Sequence, residues 1–170
     1  MSDDVLIPVV DKDDNIITHK KRSDIQQSDI YRVTGLWLEN SQGNVLLAQR
    51  AWTKKHSPGK WSVAASGTVE KDETYEMNIV KEIKEELGVT DLILEETPLY
   101  CVYGEHNFFR ILYFSESNWP IEKFRIQKEE VESIKWVPRS WIYQDFELHP
   151  ENYSDGFGDV LITVKEFKEV

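Results

Sequence analysis

The sequence has little cysteine and little positive charge. Its 170 residues include a single cysteine, Cys101, which excludes a disulfide bond within the chain and is typical of a reducing compartment. Its 20 basic residues are outnumbered by 31 acidic ones, and the formal net charge of −11 argues against duplex nucleic acid as a partner, because a phosphate backbone requires a basic face. A small phosphorylated ligand stays compatible with this charge where a metal ion and a local basic cluster offset it.

The sequence also lacks a long apolar run. The run from Val5 to Val10 is too short to span a membrane, and no basic segment precedes it, so we expect neither a membrane span nor a signal peptide. The expected location is therefore the cytoplasm. With 40% apolar residues, a chain of this length suffices for a single domain with a sizeable core.

The order of predicted elements indicates the α/β class. Residues 5–18 predict an N-terminal β-hairpin, and helices are predicted from Thr74 to Gly88 and around residues 159–167. The first two of the later strands are expected to form a second hairpin. This order predicts a mixed β-sheet covered by helices on both faces. The later strands are predicted at residues 31–39, 45–50, 61–65, 92–94, 99–103, 108–114 and 134–138.

The most informative stretch runs from Gly67 to Val89 and reads as an amphipathic helix preceded by a loop. At about 100° per residue, three carboxylates of this helix fall on one face. Close carboxylates repel one another unless a cation lies among them, and oxygen ligands favour Mg²⁺ or Mn²⁺. The alternative is a solvated face of an acidic helix. The carboxylates are Glu82, Glu85 and Glu86, and the face expected to pack on the core consists of Met77, Val80, Ile83 and Leu87.

The wider spacing favours the metal site over the solvated face. Five residues separate Gly67 from Glu73, and seven more separate Glu73 from the segment KEIKEELGV, residues 81–89. This pattern resembles the Nudix box, and every fixed position matches except Lys81, where the family has Arg. The resemblance implies that the three helix glutamates bind Mg²⁺ or Mn²⁺.

The same resemblance implies roles for the loop before the helix. In the family, the residue at the position of Lys81 holds the first Glu of the box, here Glu73, and so fixes the loop against the helix. Lys keeps the charge but lacks the bidentate fork of Arg, so we expect a looser loop and an intact metal site. The backbone at Gly67 is expected to approach the substrate closely.

A basic loop, residues 50–61, precedes the box. Its Arg, the Lys four residues later and the Pro-Gly-any-Trp motif resemble the Nudix subgroup that contains isopentenyl diphosphate isomerase. This implies that Arg50 and Lys54, with Lys55 as an alternative, bind a diphosphate; the other interpretation is a basic surface loop. The catalytic Cys and the metal-binding His residues of the isomerase are absent, and their places hold Ser66, Thr68 and Tyr31.

A further carboxylate is expected in the loop before the last strand. Many family members place one there, and Glu130, or else Glu129, has the matching position. By resemblance, this carboxylate or one of Glu82, Glu85 and Glu86 takes the proton of the attacking water.

The resemblance implies a Nudix α/β/α sandwich over residues 30–170, with residues 1–29 as an accessory hairpin. The predicted function is Mg²⁺- or Mn²⁺-dependent hydrolysis of a diphosphate linkage in a small nucleoside diphosphate-type substrate. The alternatives are a non-catalytic Nudix-like module that senses a ligand and an isopentenyl diphosphate isomerase-like protein. The expected partners are a small phosphorylated substrate and, at most, a second copy of the chain.

Overall fold

The computed structural model describes residues 4–168, which form ten strands and three α-helices. The strands are β1 (Leu6–Val10), β2 (Ile16–Lys21), β3 (Ile30–Glu39), β4 (Asn44–Arg50), β5 (Trp61–Ser62), β6 (Ala65–Thr68), β7 (Glu95–Glu96), β8 (Tyr100–Val102), β9 (Asn107–Glu116) and β10 (Val131–Pro138). The helices are α1 (Tyr75–Glu82), which continues into a π-helical turn at Ile83–Leu87, α2 (Arg139–Leu148) and α3 (Phe157–Lys168).

Strand β3 is the centre of the sheet. Along one edge it pairs in parallel with β9 over its whole length, from Ile30 opposite Asn107 to Glu39 opposite Glu116. Along the other edge it pairs antiparallel with β1, then β6, then β4. The combination of parallel and antiparallel pairs confirms the predicted mixed sheet.

Two apolar clusters cover the two faces of this sheet, as the alternation of side chains along the strands requires. On one face Trp37 and Leu47 pack with residues of α2 and α3, including Ile142 and Phe157. On the other face Leu36, Leu38 and Leu46 pack with Ile79, Ile83 and Leu87 of the box helix. Helices on both faces confirm the α/β/α class, and the N-terminal hairpin is present as β1 and β2.

The structure departs from the predicted elements in three places. The predicted hairpin of β3 and β4 forms, but the two strands pair only at Glu39 and Val45, because beyond that point β6 occupies the edge of β3 and β5 occupies that of β4. Residues 92–94 form no strand; Leu92 and Leu94 pack on the core from an irregular segment before β7. Helix α2 was not predicted, because its sequence, rich in aromatic residues, shows no clear apolar period and fully buries only Ile142.

The orientation of the box helix also differs from the prediction. Met77 and Val80, expected in the core, are 56% and 48% exposed. The buried face contains polar side chains beside apolar ones, so the carboxylates and the core residues do not lie on opposite sides. This face consists of Asn78, Ile79, Glu82, Ile83, Glu86 and Leu87.

Candidate active site

The box helix begins and ends at the predicted residues. The Thr74 side chain caps its first turn by accepting a hydrogen bond from the Met77 N–H at 3.1 Å. Gly88 ends it with φ of 69°, a left-handed conformation that glycine adopts without steric cost. Between them, the change from α-helix to a π-helical turn at Ile83 lies among the three glutamates.

Glu82 and Glu86 are buried against β6, with only 1% and 7% of their surface exposed. The Ser66 N–H donates to Oε2 of Glu86 at 3.0 Å, and Gly67 lies directly against the side chain of Glu82. Burial raises the pKa of Glu82 to about 8, and the charge of Glu86 contributes to the same rise. Burial also raises the pKa of Glu86 to about 7, although the hydrogen bond from Ser66 opposes it. Two buried carboxyls with raised pKa values are costly to ionise, and a bound cation would stabilise their ionised form.

Glu85 lies apart from this pair and is exposed to solvent. Within residues 4–168, no three His, Cys, Asp or Glu side chains converge closely enough to hold a metal ion as they stand. The donor set nevertheless fits a hard divalent cation, since it offers carboxylate oxygens. Glycine at position 67 provides the space for one of them, because a Cβ there would collide with the Glu82 side chain. The three glutamates predicted to act together are thus a buried pair with a third on the adjoining surface.

Asn78 connects the box helix to the strands, a role that was not predicted from the sequence. Its Nδ2 atom donates to the Thr68 carbonyl at 3.1 Å and to Oε2 of Glu73 at 3.0 Å. Its Oδ1 atom accepts from the Thr34 hydroxyl at 2.5 Å. The available signal was an Asn in a helix interior, four residues before Glu82, where Asn is disfavoured without a specific partner.

Lys81 makes the contact with Glu73 that the resemblance implied. Its ammonium lies 2.7 Å from Oε1 of Glu73 and 3.2 Å from Oε1 of Glu70. Burial opposes the charge of Lys81, but these two carboxylates raise its pKa above the ordinary value. Lys81 therefore connects two carboxylates of the loop, a geometry that a single point charge permits without a bidentate fork.

The basic loop and the loop before β10 meet at the same site. The Lys54 ammonium donates to Oε2 of Glu130, and the Ala51 N–H donates to the Glu130 carbonyl at 2.9 Å. Burial would raise the pKa of Glu130, but the hydrogen bond and charge of Lys54 contribute to a pKa below the ordinary value. The residues proposed for phosphate binding and for proton transfer are thus direct partners.

Arg50 places a second positive charge beside these carboxylates. Its Nε atom donates to the His56 carbonyl at 3.0 Å. Burial lowers the pKa of Arg50, whereas the charges of Glu86 and Glu130 act to raise it. Glu129, the alternative to Glu130, is exposed, and so is Lys55, the alternative to Lys54.

A cavity of about 280 Å³ opens beside this group of charges. Its wall contains the predicted residues Arg50, Lys54, Gly67 and Glu86. It also contains Ser66, Thr68 and Tyr31, which stand where the isomerase has its Cys and His residues. Two edge-to-face imidazoles on its wall, His56 and His106, have ring centroids 4.7 Å apart. The cavity therefore connects Glu86 of the buried pair with the basic loop.

The family model for the NUDIX domain matches residues 30–154. The chain belongs to the Nudix family. This membership, with the Nudix hydrolases among its relatives, confirms the predicted enzyme class, a Nudix pyrophosphohydrolase.

Curated relatives extend the match over most of the chain. A prenyl-diphosphate phosphatase of Methanosarcina mazei is 27% identical over 166 residues, which cover 96% of each chain. An uncharacterized Nudix hydrolase of Pseudomonas aeruginosa is 30% identical and covers 80% of each chain. An isopentenyl-diphosphate Delta-isomerase of Photorhabdus laumondii is 29% identical and covers 79% of this chain and 77% of its own. The last relative agrees with the resemblance to the isomerase-containing subgroup.

Solved structures show the same Nudix fold. DR0079 from Deinococcus radiodurans superposes with a TM-score of 0.79 at 20% identity and covers 91% of this chain and 96% of its own. The Nudix domain of Shewanella oneidensis NrtR, solved with ADP ribose, has a TM-score of 0.63 at 17% identity and covers 86% of this chain and 92% of its own.

No helix within residues 4–168 is long and apolar enough to cross a membrane.

Proposed function

We propose that this Nudix protein hydrolyses a diphosphate linkage in a small organic diphosphate with the help of a divalent metal ion. The observation that carries the proposal is the position of two buried carboxylates, Glu82 and Glu86, on the same site as the basic residues Arg50 and Lys54. Carboxylates favour a hard cation, and the basic side chains favour phosphate.

The metal ligands proposed are Glu82, Glu85 and Glu86, and the proposed ion is Mg²⁺ or Mn²⁺. The first and last of these already share the buried face, and Glu85 lies at the surface of the next turn. Bound there, the ion would neutralise diphosphate charge and lower the pKa of a coordinated water.

The remaining residues act on the substrate and on the proton. Arg50 offers a planar fork and Lys54 a point charge to the diphosphate oxygens, and the backbone at Gly67, which also lines the cavity, is proposed to approach the substrate closely. Lys54 also favours the ionised form of Glu130, which is the form that accepts a proton from water. We therefore propose Glu130 as the general base, because Lys54 keeps it ionised beside the site while Glu82 and Glu86 are proposed to hold the metal ion.

Two classes of organic group are candidates for the substrate. A nucleoside diphosphate derivative is the first, because Tyr31 and Phe108 lie in the cavity wall as aromatic surfaces for a base. A prenyl diphosphate is the second, because the Methanosarcina mazei relative is named for that substrate. The apolar residues Val33, Val63 and Val102 in the cavity wall also favour a hydrocarbon group. Isomerisation is disfavoured because Ser66 offers no thiol for proton transfer.

We also propose that the chain is one cooperative unit, with residues 30–170 as the Nudix core and residues 1–29 as its accessory hairpin. Its proposed location is the cytoplasm. The hairpin is tied to the core by the pair between Val10 and Ile30 and by an ion pair of 2.7 Å between Arg32 and Asp14. A single unfolding transition that coincides by tryptophan fluorescence and by circular dichroism is the expected result.

The activity test uses a panel of diphosphates and a matched pair of variants. The wild type is incubated with Mg²⁺ and, separately, ADP ribose, a nucleoside triphosphate, isopentenyl diphosphate and a longer prenyl diphosphate, and phosphate products are followed by ³¹P NMR. Glu86→Gln is expected to abolish turnover, whereas Glu76→Gln, on the exposed side of the same helix, keeps it. Binding without turnover of any substrate would instead identify a ligand-sensing module, and an isomer without phosphate release would identify an isomerase.

A further inference from the structure

The cavity extends away from the carboxylates along β3. Tyr31, Val33 and Gly35 alternate along this strand and line the same wall. Gly35 pairs with Ser66, whose N–H binds Glu86. Because Tyr31 is four positions before Gly35, the far end of the cavity lies about 13 Å from this point along the strand.

Arg22 reaches this far end from the turn after the N-terminal hairpin. Its backbone is held there by a hydrogen bond from its N–H to the Val5 carbonyl at 2.8 Å, and its side chain lines the cavity. The Nε and Nη2 atoms are both buried and have no hydrogen-bond partner. Burial of unpaired guanidinium donors is unfavourable because they lose their hydrogen bonds to water, so such atoms indicate a missing acceptor.

A second guanidinium, that of Arg110, lies at the same end. It donates from Nη1 to the Gly156 carbonyl at 3.0 Å and stacks over the Phe108 ring at 4.8 Å. Among residues 4–168, no ion pair within 4.0 Å includes Arg22 or Arg110, although Asp155 and Asp159 also line the cavity. The far end thus holds two positive charges that form no ion pair within 4.0 Å with a carboxylate of the described chain.

Tyr31 lies near both of these cations in the cavity wall. Burial raises the pKa of its phenol, and the charges of Arg22 and Arg110 both act in the opposite direction. The middle of the cavity is apolar, with Val33, Val63 and Val160 in its wall. The cavity therefore has a basic end beside Glu86, an apolar middle and a second basic end at Arg22.

We propose that Arg22 binds a second anionic group of the substrate, a carboxylate or a phosphate, at the end of the molecule opposite the diphosphate. The inference rests on the proposed function for the position of the diphosphate at Arg50 and Lys54. An acidic oxygen at Arg22 satisfies two buried donors at once through a charge-assisted, bidentate contact. A diphosphate whose only other part is a hydrocarbon leaves both donors unpaired.

The test compares ligands that differ only at the far end. Three alkyl diphosphate analogues of equal chain length, with a methylene bridge in place of the anhydride oxygen, end in a methyl group, a carboxylate or a phosphate. Calorimetry with the wild type is expected to give at least tenfold tighter binding of one acidic analogue than of the methyl analogue, and the preferred acid identifies the natural group. Arg22→Ala should remove this preference and leave the dissociation constant of the methyl analogue unchanged.

The control is Lys21→Ala, which removes a neighbouring cation whose ion pair with Asp4 lies outside the cavity. It should keep the preference in full. If Arg22→Ala melts far below the wild type, Arg22→Gln replaces it, because Gln removes the charge and keeps an amide donor. Equal binding of all three analogues by the wild type, or equal weakening of all three in the Arg22 variant, overturns the inference. Hydrolysis of the cleavable methyl-ended diphosphate by the wild type tests the proposed function separately.

Discussion

A Cβ atom on Gly67 would lie less than 3.0 Å from Oε1 of Glu82. The glycine of β6 and the first glutamate of the proposed metal site therefore occupy one tightly packed space. Gly67→Ala should displace Glu82, lower the free energy of unfolding by about 1 to 3 kcal/mol and reduce turnover strongly. Gly104→Ala is the stability control, because nothing lies within 4 Å of an added methyl group there. Equal melting temperatures for the wild type and Gly67→Ala would show that Glu82 moves at no cost.

Glu86→Gln should separate catalysis from stability. Turnover is expected to fall by at least a hundredfold because a proposed metal ligand is lost. In metal-free buffer at pH 8 the variant should melt above the wild type, since the amide removes a buried charge and its oxygen still accepts the Ser66 hydrogen bond. Added Mg²⁺ should raise the melting temperature of the wild type and have little effect on the variant. Full activity in this variant would contradict the metal assignment.

The stability of the metal-free protein should fall as the pH rises from 5.5 to 8.5. The pKa values of Glu82 and Glu86 in the folded protein, about 8 and about 7, lie above the ordinary value of 4.5. The folded protein therefore binds more protons than the unfolded chain in this range, and ionisation of the buried pair costs stability. Urea unfolding in a chelating buffer measures the slope. Excess Mg²⁺, or the double variant Glu82→Gln, Glu86→Gln, should flatten this slope. His56 has a lowered pKa, so its titration contributes a slope of the opposite sign.

Arg50→Ala should raise KM strongly with a smaller effect on kcat, because its guanidinium is expected to bind the diphosphate in the ground state and the transition state alike. Lys55→Ala is the matched control, since that ammonium is exposed on the same loop. Steady-state kinetics with a diphosphate that the wild type cleaves measure KM and kcat. A KM that changes in Lys55→Ala and not in Arg50→Ala would indicate that Lys55, and not Arg50, contacts the phosphate.

Lys54→Ala should shift the pH dependence of turnover as well as KM. Lys54 contributes to the low pKa of Glu130, so its removal should raise that pKa and move the acid limb of the kcat profile to higher pH. Arg50→Ala, which leaves this ion pair intact, should not move the limb to the same extent. A profile unchanged by Lys54→Ala would argue against Glu130 as the general base.

Much of the fold could be predicted from the sequence, because local rules apply to most of its elements. Thr74 and Gly88 delimit the box helix through a cap and a left-handed residue that depend only on neighbouring positions. The long-range choice of partner for β3 could not be predicted in this way. Its turn to β4 is a good hairpin turn, yet β6 occupies most of the edge that β4 would take and β9 occupies the other edge, and these partners are brought together only in the assembled sheet.

In the candidate site, too, the residues in a local motif could be predicted, whereas those brought in by long-range pairing could not. The spacing of the box identified the glutamates, but periodicity assigns charged residues to solvent and so placed Glu82 and Glu86 on the wrong face. Arg22 carried no local signal, because it reaches the cavity only through the hairpin that folds beside β3. Lys54 and Glu130 lie 76 positions apart, and their contact depends on the pairing of β4 with β10.

The π-helical turn at Ile83–Leu87 makes the length of the box as important as its composition. A π turn holds about one residue more than an α turn, so it absorbs an extra residue within a helix of nearly unchanged length. Deleting one residue from this turn would therefore restore regular α-helix and leave the residues after it close to their present orientation. The α-helical part, Tyr75–Glu82, has no such extra residue, so a deletion there would rotate the residues before it by about 100° relative to Glu82 and Glu86. Such a chain would keep every charged side chain of the site and still turn the capped start of the helix away from the carboxylates that it positions. The place of a deletion within the box therefore matters as much as the residue that is removed.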